Sequence, residues 1–209
     1  MDFQSRTSEK PAPSPRSQWS LFARNFFKHP RMLGSIIPSS PFLVRRLLDQ
    51  VDWDRARVIV EYGPGVGTIT REILRRMHPE AVLVAVETNQ DFVAFLHDSL
   101  PDPRLQVVHG SAADILDTLI ERDLETADYV IAGIPFSTMP RATCEAVLRN
   151  THQVLSPNGA LLIYQFSPKV LPHLQRVFSE VRRGFEPLNV LPAQLYYCVP
   201  CKETPPASQ

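Results

Sequence analysis

Apolar residues along this chain follow two periods, and their alternation predicts the architecture. Short apolar runs make strand-like segments at Val58–Glu61, Ala81–Glu87, Leu105–His109, Asp128–Ala132 and Ala160–Phe166. Runs of this length, closed by polar or turn residues, read as strands buried on both faces. Between and after them, residues 68–77, 90–100, 141–155 and about 170–178 carry apolar side chains at helical spacing. Pro157-Asn158-Gly159 reads as the break between a helix and the fifth strand. Two last runs, Val181–Phe185 and Leu195–Val199, are expected to form an antiparallel edge. The alternation predicts an α/β fold: a seven-stranded, mostly parallel sheet with helices on both faces.

The N-terminal fifty residues follow a different pattern. Residues 1–17 are rich in Ser, Pro and charge and read as a disordered tail, as do residues 202–209. From Ser17 to His29, Trp19, Phe22, Ala23, Phe26 and Phe27 fall on one helical face, opposite Arg24 and Lys28. Such a helix either lies on a membrane surface or packs its stripe on the domain. The segment Gly34 to Ser40 is a loop whose Ser35 and Ile36 can close over a ligand, or a plain linker. Ser40 reads as an N-cap and Pro41 as the first residue of a helix reaching about Gln50. The expected organisation is an N-terminal extension over 18–50 and a ligand-binding domain over 51–201.

Charge sharpens this picture. The formal net charge is +0, so bulk charge does not mark a polyanion binder. Yet Pro11 to Leu48 contains Arg16, Arg24, Lys28, Arg31, Arg45 and Arg46 with no Asp or Glu. That asymmetry suits an anionic membrane surface or a nucleic acid. Three cysteines, Cys144, Cys198 and Cys201, make no disulfide framework, and the Cys198–Cys201 spacing lacks the second pair of a zinc site. No metal cluster is visible, no apolar run is long enough to span a bilayer, and no secretory leader is read. A cytoplasmic protein, peripheral to the inner membrane and monomeric, is expected.

The candidate chemistry starts at Glu61-Tyr62-Gly63-Pro64-Gly65-Val66-Gly67, between the first strand and a helix. Glycines let the main chain approach a ligand closely, and the helix start offers free N–H groups. A dinucleotide fingerprint has its acid downstream, whereas here Glu61 stands inside the motif. A carboxylate there repels a pyrophosphate but suits an ammonium or sulfonium, the groups of S-adenosylmethionine. Glu87 closes the second strand twenty residues after Gly67, where an acid can accept from ribose hydroxyls. Thr88 follows it. After the third strand come Ser111, Ala112, Ala113 and Asp114; Asp114 reads as a helix N-cap or as a group facing adenine. Gly133-Ile134-Pro135-Phe136 closes the fourth strand.

The Glu-Tyr-Gly-Pro-Gly-x-Gly loop, Glu87 and the Ser-Ala-Ala-Asp segment resemble class I S-adenosylmethionine-dependent methyltransferases, over roughly Phe42 to Val199. The phenylalanine-rich helix, the Gly-Ser-Ile-Ile-Pro-Ser-Ser loop and Gly133–Ser137 look like bacterial phospholipid N-methyltransferases, which convert phosphatidylethanolamine stepwise towards phosphatidylcholine. The glycine loop is also similar to that of ribosomal RNA adenine dimethylases. Those enzymes carry Asn where this chain has Gly133, which offers only a main-chain carbonyl, and a nucleobase amine needs an acceptor to polarise it. The resemblance implies a Rossmann-like fold with S-adenosylmethionine as cofactor and S-adenosylhomocysteine as product. It assigns Glu61, Gly63, Pro64, Gly65 and Gly67 to the methionine part, with Ser35 and Ile36 closing over it. Glu87 and Thr88 fall to ribose, and Ser111, Ala112, Ala113 and Asp114 to adenine. Gly133, Ile134 and Phe136 line the methyl-transfer channel, with Tyr62 and Tyr164 near the amine. Three classes follow in order: a lipid N-methyltransferase, a nucleic-acid methyltransferase, and a binding module without activity. The first makes a phospholipid, or another amine lipid such as an ornithine lipid, the substrate and the membrane the partner, and disfavours nucleic acid.

Overall fold

In the computed structural model, which describes residues 39–189 and 191–200, the predicted alternation becomes one seven-stranded sheet flanked by helices. The elements are α1 (Pro41–Leu48), β1 (Val58–Tyr62), α2 (Thr68–Arg76), β2 (Val82–Glu87), α3 (Gln90–Ser99), β3 (Leu105–His109), α4 (Ile115–Ile120), β4 (Ala127–Ala132), α5 (Arg141–Val154), β5 (Leu155–Gln165), α6 (Leu171–Val177), β6 (Glu180–Glu186) and β7 (Ala193–Val199). The tails, the aromatic helix over 17–29, the Ser35–Ile36 loop and Cys201 lie outside the described residues.

The sheet order is β3-β2-β1-β4-β5-β7-β6. Its central strands are apolar at both parities because both faces are covered. Ile59, Leu83, Ile131 and Leu162 bury into a layer with α1 and α2, while Val60, Val84, Val130 and Leu161 bury against α4, α5 and α6. Each such side chain contributes about 1.5–3 kcal/mol when fully removed from water. α1 begins as its sequence predicts: Ser40 Oγ accepts from Leu43 N at 3.2 Å, and Pro41 needs no N–H partner there.

Two expectations are refined. β5 does not start after Pro157-Asn158-Gly159 but runs through it, with a register shift against β4 between Ala127 and Tyr129. The shift fits a close approach: a Cβ on Gly159 would stand 2.9 Å from the Asp128 carbonyl. Asp128 anchors the region, its Oδ2 accepting from Arg57 N and Val58 N at 2.8 and 3.0 Å. The antiparallel strand is β7, lying between β5 and the edge strand β6, so β6 runs parallel to β5.

Candidate active site

The sheet order reverses between β1 and β4: β2 and β3 lie on one side of β1, while β4 and β5 lie on the other. Loops leaving two neighbouring strands in opposite directions open a crevice at their carboxyl ends. The glycine loop enters it from β1 and Gly133–Pro135 from β4. Gly63 has φ +70°, and a Cβ there would stand 2.8 Å from Ile134 Cγ2, so the two loops touch with no space for a side chain. Gly67 N-caps α2 at φ +76°, without a side-chain cap bond, and a Cβ there would meet Leu96 Cδ2 at 2.8 Å.

Two buried carboxylates stand at the carboxyl ends of β1 and β2, where the crevice opens. Glu61, 2 % exposed, accepts from Thr70 Oγ1 at 2.7 Å and has no ion-pair partner among the described residues. Desolvation drives its pKa up to about 8, opposed by the Thr70 bond and assisted by the negative charge of Glu87. Glu87 accepts from Gly65 N at 3.1 Å and Asn89 N at 2.9 Å. Desolvation also raises its pKa, against those backbone bonds. Glu87 therefore ties the glycine loop to the end of β2.

Beside Glu87 lies a cavity of about 210 Å³ lined by Gly63, Val86, Phe92, Ser111, Ala112, Ile134 and Val147 among others. Its walls are mostly apolar, with Glu87 and Thr88 at one side, which suits a flat heterocycle carrying a polyhydroxylated ring. Across the crevice stands Tyr164. A Cβ on Gly133 would lie 2.6 Å from the Tyr164 hydroxyl, so the missing side chain of Gly133 is the space the phenol fills. That hydroxyl shares a hydrogen bond with the Ser39 side chain. Burial raises its pKa first, and the nearby Glu61 charge adds to the shift.

Several predicted residues take other places. Tyr62 is fully buried, with its hydroxyl 3.1 Å from Thr151 Oγ1 on α5. It is a core residue and does not reach the crevice. Phe136 is 4 % exposed, packs in the α5 layer and is not part of the cavity wall. The Ala113 N–H is engaged by Ser111 Oγ at 3.1 Å, and its carbonyl accepts from Asn150 Nδ2 at 2.6 Å. Asp114 is exposed, lies outside the cavity wall and makes no side-chain capping bond. Pro64 and Gly65 are buried within the loop, and Ser111 and Ala112 line the cavity.

Four contributors escaped the sequence reading. Thr70 sits nine residues after Glu61, on the first turn of α2, and that offset was the available signal. Gln165 ends the apolar run of β5 and donates to the Ile134 carbonyl at 2.7 Å, fixing the loop after β4. The α5 residues Thr143 and Val147 carry no local signal, and only tertiary packing brings them here, whereas Ser39 belongs to the Gly34–Ser40 loop already read as able to close over a ligand.

The donor set fits S-adenosylmethionine. A buried carboxylate lacking a cation suits the methionine ammonium, a second acid at the end of β2 suits ribose, and an apolar slot suits adenine. The glycine loop leaves room for the main chain to approach the ligand.

Comparison with known proteins agrees. Residues 59–159 match the family described as "Methyltransferase domain". The chain is 36 % identical over 186 residues to an ornithine lipid N-methyltransferase of Singulisphaera acidiphila, covering 88 % of this chain and 97 % of that protein. It is 28 % identical over 112 residues to ribosomal RNA small subunit methyltransferase A of Mycoplasma mycoides, covering 54 % of this chain but only 40 % of that relative. Among solved structures, a TehB-like S-adenosylmethionine-dependent methyltransferase of Corynebacterium glutamicum aligns with a TM-score of 0.59 at 15 % identity, covering 90 % of this chain and 100 % of that one. M. capricolum TrmK, solved with S-adenosylhomocysteine, gives a TM-score of 0.60 at 13 % identity, covering 78 % and 70 %. With its switch-point crevice, its glycine loop and these relatives, the chain belongs to the S-adenosylmethionine-dependent methyltransferases.

Proposed function

We propose that the enzyme methylates the primary amine of a membrane lipid headgroup, as in an ornithine lipid or phosphatidylethanolamine. The observation that carries this reading is the pairing of Gly133 with Tyr164. Where the resembling adenine dimethylases present an Asn amide, this chain presents a bare main chain with a phenol 2.6 Å from a Cβ position. A nucleobase amine needs an acceptor because its lone pair is delocalised into the ring. An alkyl amine needs only to be neutral and aligned, and the Singulisphaera relative supports a lipid of that kind.

Bound S-adenosylmethionine supplies a methyl group on a sulfonium, already strongly electrophilic. The protein's contribution is binding, alignment and exclusion of water. Glu61 would hold the methionine ammonium and Glu87 the ribose. Gly133 and Ile134 would border the path between donor and acceptor. Tyr164, kept neutral by burial, would orient the amine by hydrogen bonding. An alkylammonium has a Lys-like pKa of about 10, so the amine must lose a proton before attack. A poorly solvated crevice lowers that pKa and favours the reactive form.

The test offers ornithine-lipid vesicles, phosphatidylethanolamine vesicles and ribosomal RNA side by side with radiolabelled methyl donor. Label in a lipid amine is expected; label in RNA alone overturns the reading. Tyr164→Phe is expected to lower kcat on the labelled lipid by about 100-fold, the scale of one positioned polar group. Its affinity for S-adenosylmethionine, measured by calorimetry, should stay near that of the parent.

A further inference from the structure

Among the described residues five large apolar side chains are exposed, and four of them gather in one place. Phe42, Phe185, Leu188 and Leu191 are 57, 47, 61 and 44 % exposed, while Ile120 stands apart at the end of α4. Single exposed apolar residues need no explanation, but a cluster marks a contact surface. Its position follows from the sheet. Phe185 and Gln165 are both paired opposite Gln194, so Phe185 stands level with the carboxyl end of β5, two strands or roughly 10 Å away.

Two hydrogen bonds join the pieces. Asn189 Oδ1 accepts from Ser40 N at 2.8 Å, tying the β6–β7 loop to the start of α1, two residues before Phe42. Arg46 Nη1 donates to the Phe185 carbonyl at 2.7 Å. Ser39, next to that junction, shares its hydrogen bond with the Tyr164 hydroxyl, so this rim borders the acceptor side of the crevice.

Exposed arginines stand around the rim, each beside an acid. Arg45 and Arg46 follow Phe42 on α1 and pair with Asp49 and Glu186 at 3.6 Å each, while Arg182 pairs with Glu180 at 3.3 Å and lies 4.0 Å over the Tyr197 ring on the edge of the sheet. Glu186 is turned inward, 6 % exposed, and accepts from Leu188 N at 2.8 Å. In the sequence before Ser39 stand Arg16, Arg24, Lys28 and Arg31, with no acid from Pro11 to Leu48. Apolar tips beside arginines, at the mouth of a site for a lipid headgroup, fit one partner in particular.

We propose that this rim is the surface by which the enzyme seats on an anionic bilayer. Phe42, Phe185, Leu188 and Leu191 enter the boundary between headgroups and acyl chains, and the arginines meet lipid phosphate. A headgroup amine then reaches the crevice while its acyl chains stay in the membrane. The proposal rests on the lipid-amine reading for its purpose, though not for its geometry.

Sedimentation of the full chain with phosphatidylglycerol-containing vesicles tests it. Leu188→Ser combined with Leu191→Ser is expected to lower vesicle partitioning about tenfold or more, from the apolar area lost. S-adenosylmethionine affinity and thermal midpoint serve as controls of folding and should not change. Parent-like partitioning of the double variant overturns the proposal. Hydrogen exchange across 187–192 gives an independent readout, since vesicles should slow it. Equal exchange with and without vesicles also overturns the proposal and assigns the patch to cover by residues 1–38. A parent protein that sediments through this loop, yet labels no lipid amine even in detergent micelles, upholds the docking surface and removes the lipid function.

Discussion

Glu61 shows how one buried side chain carries both stability and binding. Its pKa is raised from 4.5 to about 8, so the folded ligand-free protein holds a proton there that the unfolded chain releases. That contribution is fully present below pH 4.5 and is lost as pH rises through about 8. Glu61→Gln mimics the protonated form at every pH. The variant should therefore gain thermal stability relative to the parent between pH 5 and 9, by an amount on the order of a few kcal/mol at the upper end. Saturating S-adenosylmethionine should narrow or reverse the difference, because in the proposed site the ligand's ammonium pairs with the carboxylate and not with the amide. Melting curves across that pH range, with and without ligand, check both statements. Cys198 is the opposite case at this scale. Its thiol is buried and pushed up to about 12, so it is a core side chain with no thiolate at neutral pH.

At the scale of the element, the glycine loop and α2 act as one unit. Gly67 is the N-cap at φ +76°, a conformation that costs an L side chain roughly 1–2 kcal/mol. A methyl there also meets the tip of the Leu96 side chain at 2.8 Å, which must turn away. Gly67→Ala should lower the urea midpoint by the equivalent of about 2 kcal/mol or more and weaken S-adenosylmethionine, because the glycine loop is the proposed seat of the methionine part. An unchanged midpoint would show that the loop backbone and the Leu96 side chain yield without cost. The loop's nature was legible from spacing alone: an apolar strand, an acid, three glycines and a helix start. What the spacing hid was Glu87 reaching back to Gly65 N, which makes the second acid a fastener of the first loop.

For the whole molecule, the site is assembled from both halves of the sheet. Residues after β1, β2 and β3 meet residues after β4 and on α5 around the crevice, so ligand binding and folding are coupled. S-adenosylmethionine at about 100 times its Kd should stabilise the protein by about 2.7 kcal/mol, read as a rise in thermal midpoint. Glu87→Ala should abolish most of that rise at the same ligand concentration. The variant loses the proposed ribose acceptor and also the anchor of the Gly65 amide. A full ligand-induced rise in Glu87→Ala would contradict the ribose assignment. No helix among the described residues is long and apolar enough to cross a membrane.

Periodicity determined the strands, the helices and the glycine loop, because each is a local consequence of side-chain spacing and backbone freedom. The sequence also carried Glu61 and Glu87, since carboxylates closing apolar strands announce themselves at the crevice end of the sheet. Tertiary structure decided what local order cannot encode. It sent Tyr62 into the core, where the strand's alternation turns it towards Thr151 and away from the ligand. It brought Tyr164 into the space left by Gly133, thirty-one residues earlier in the chain, and gathered Phe42 with the β6–β7 loop at one rim. Those meetings depend on strand order, and strand order is set by which faces must be buried together.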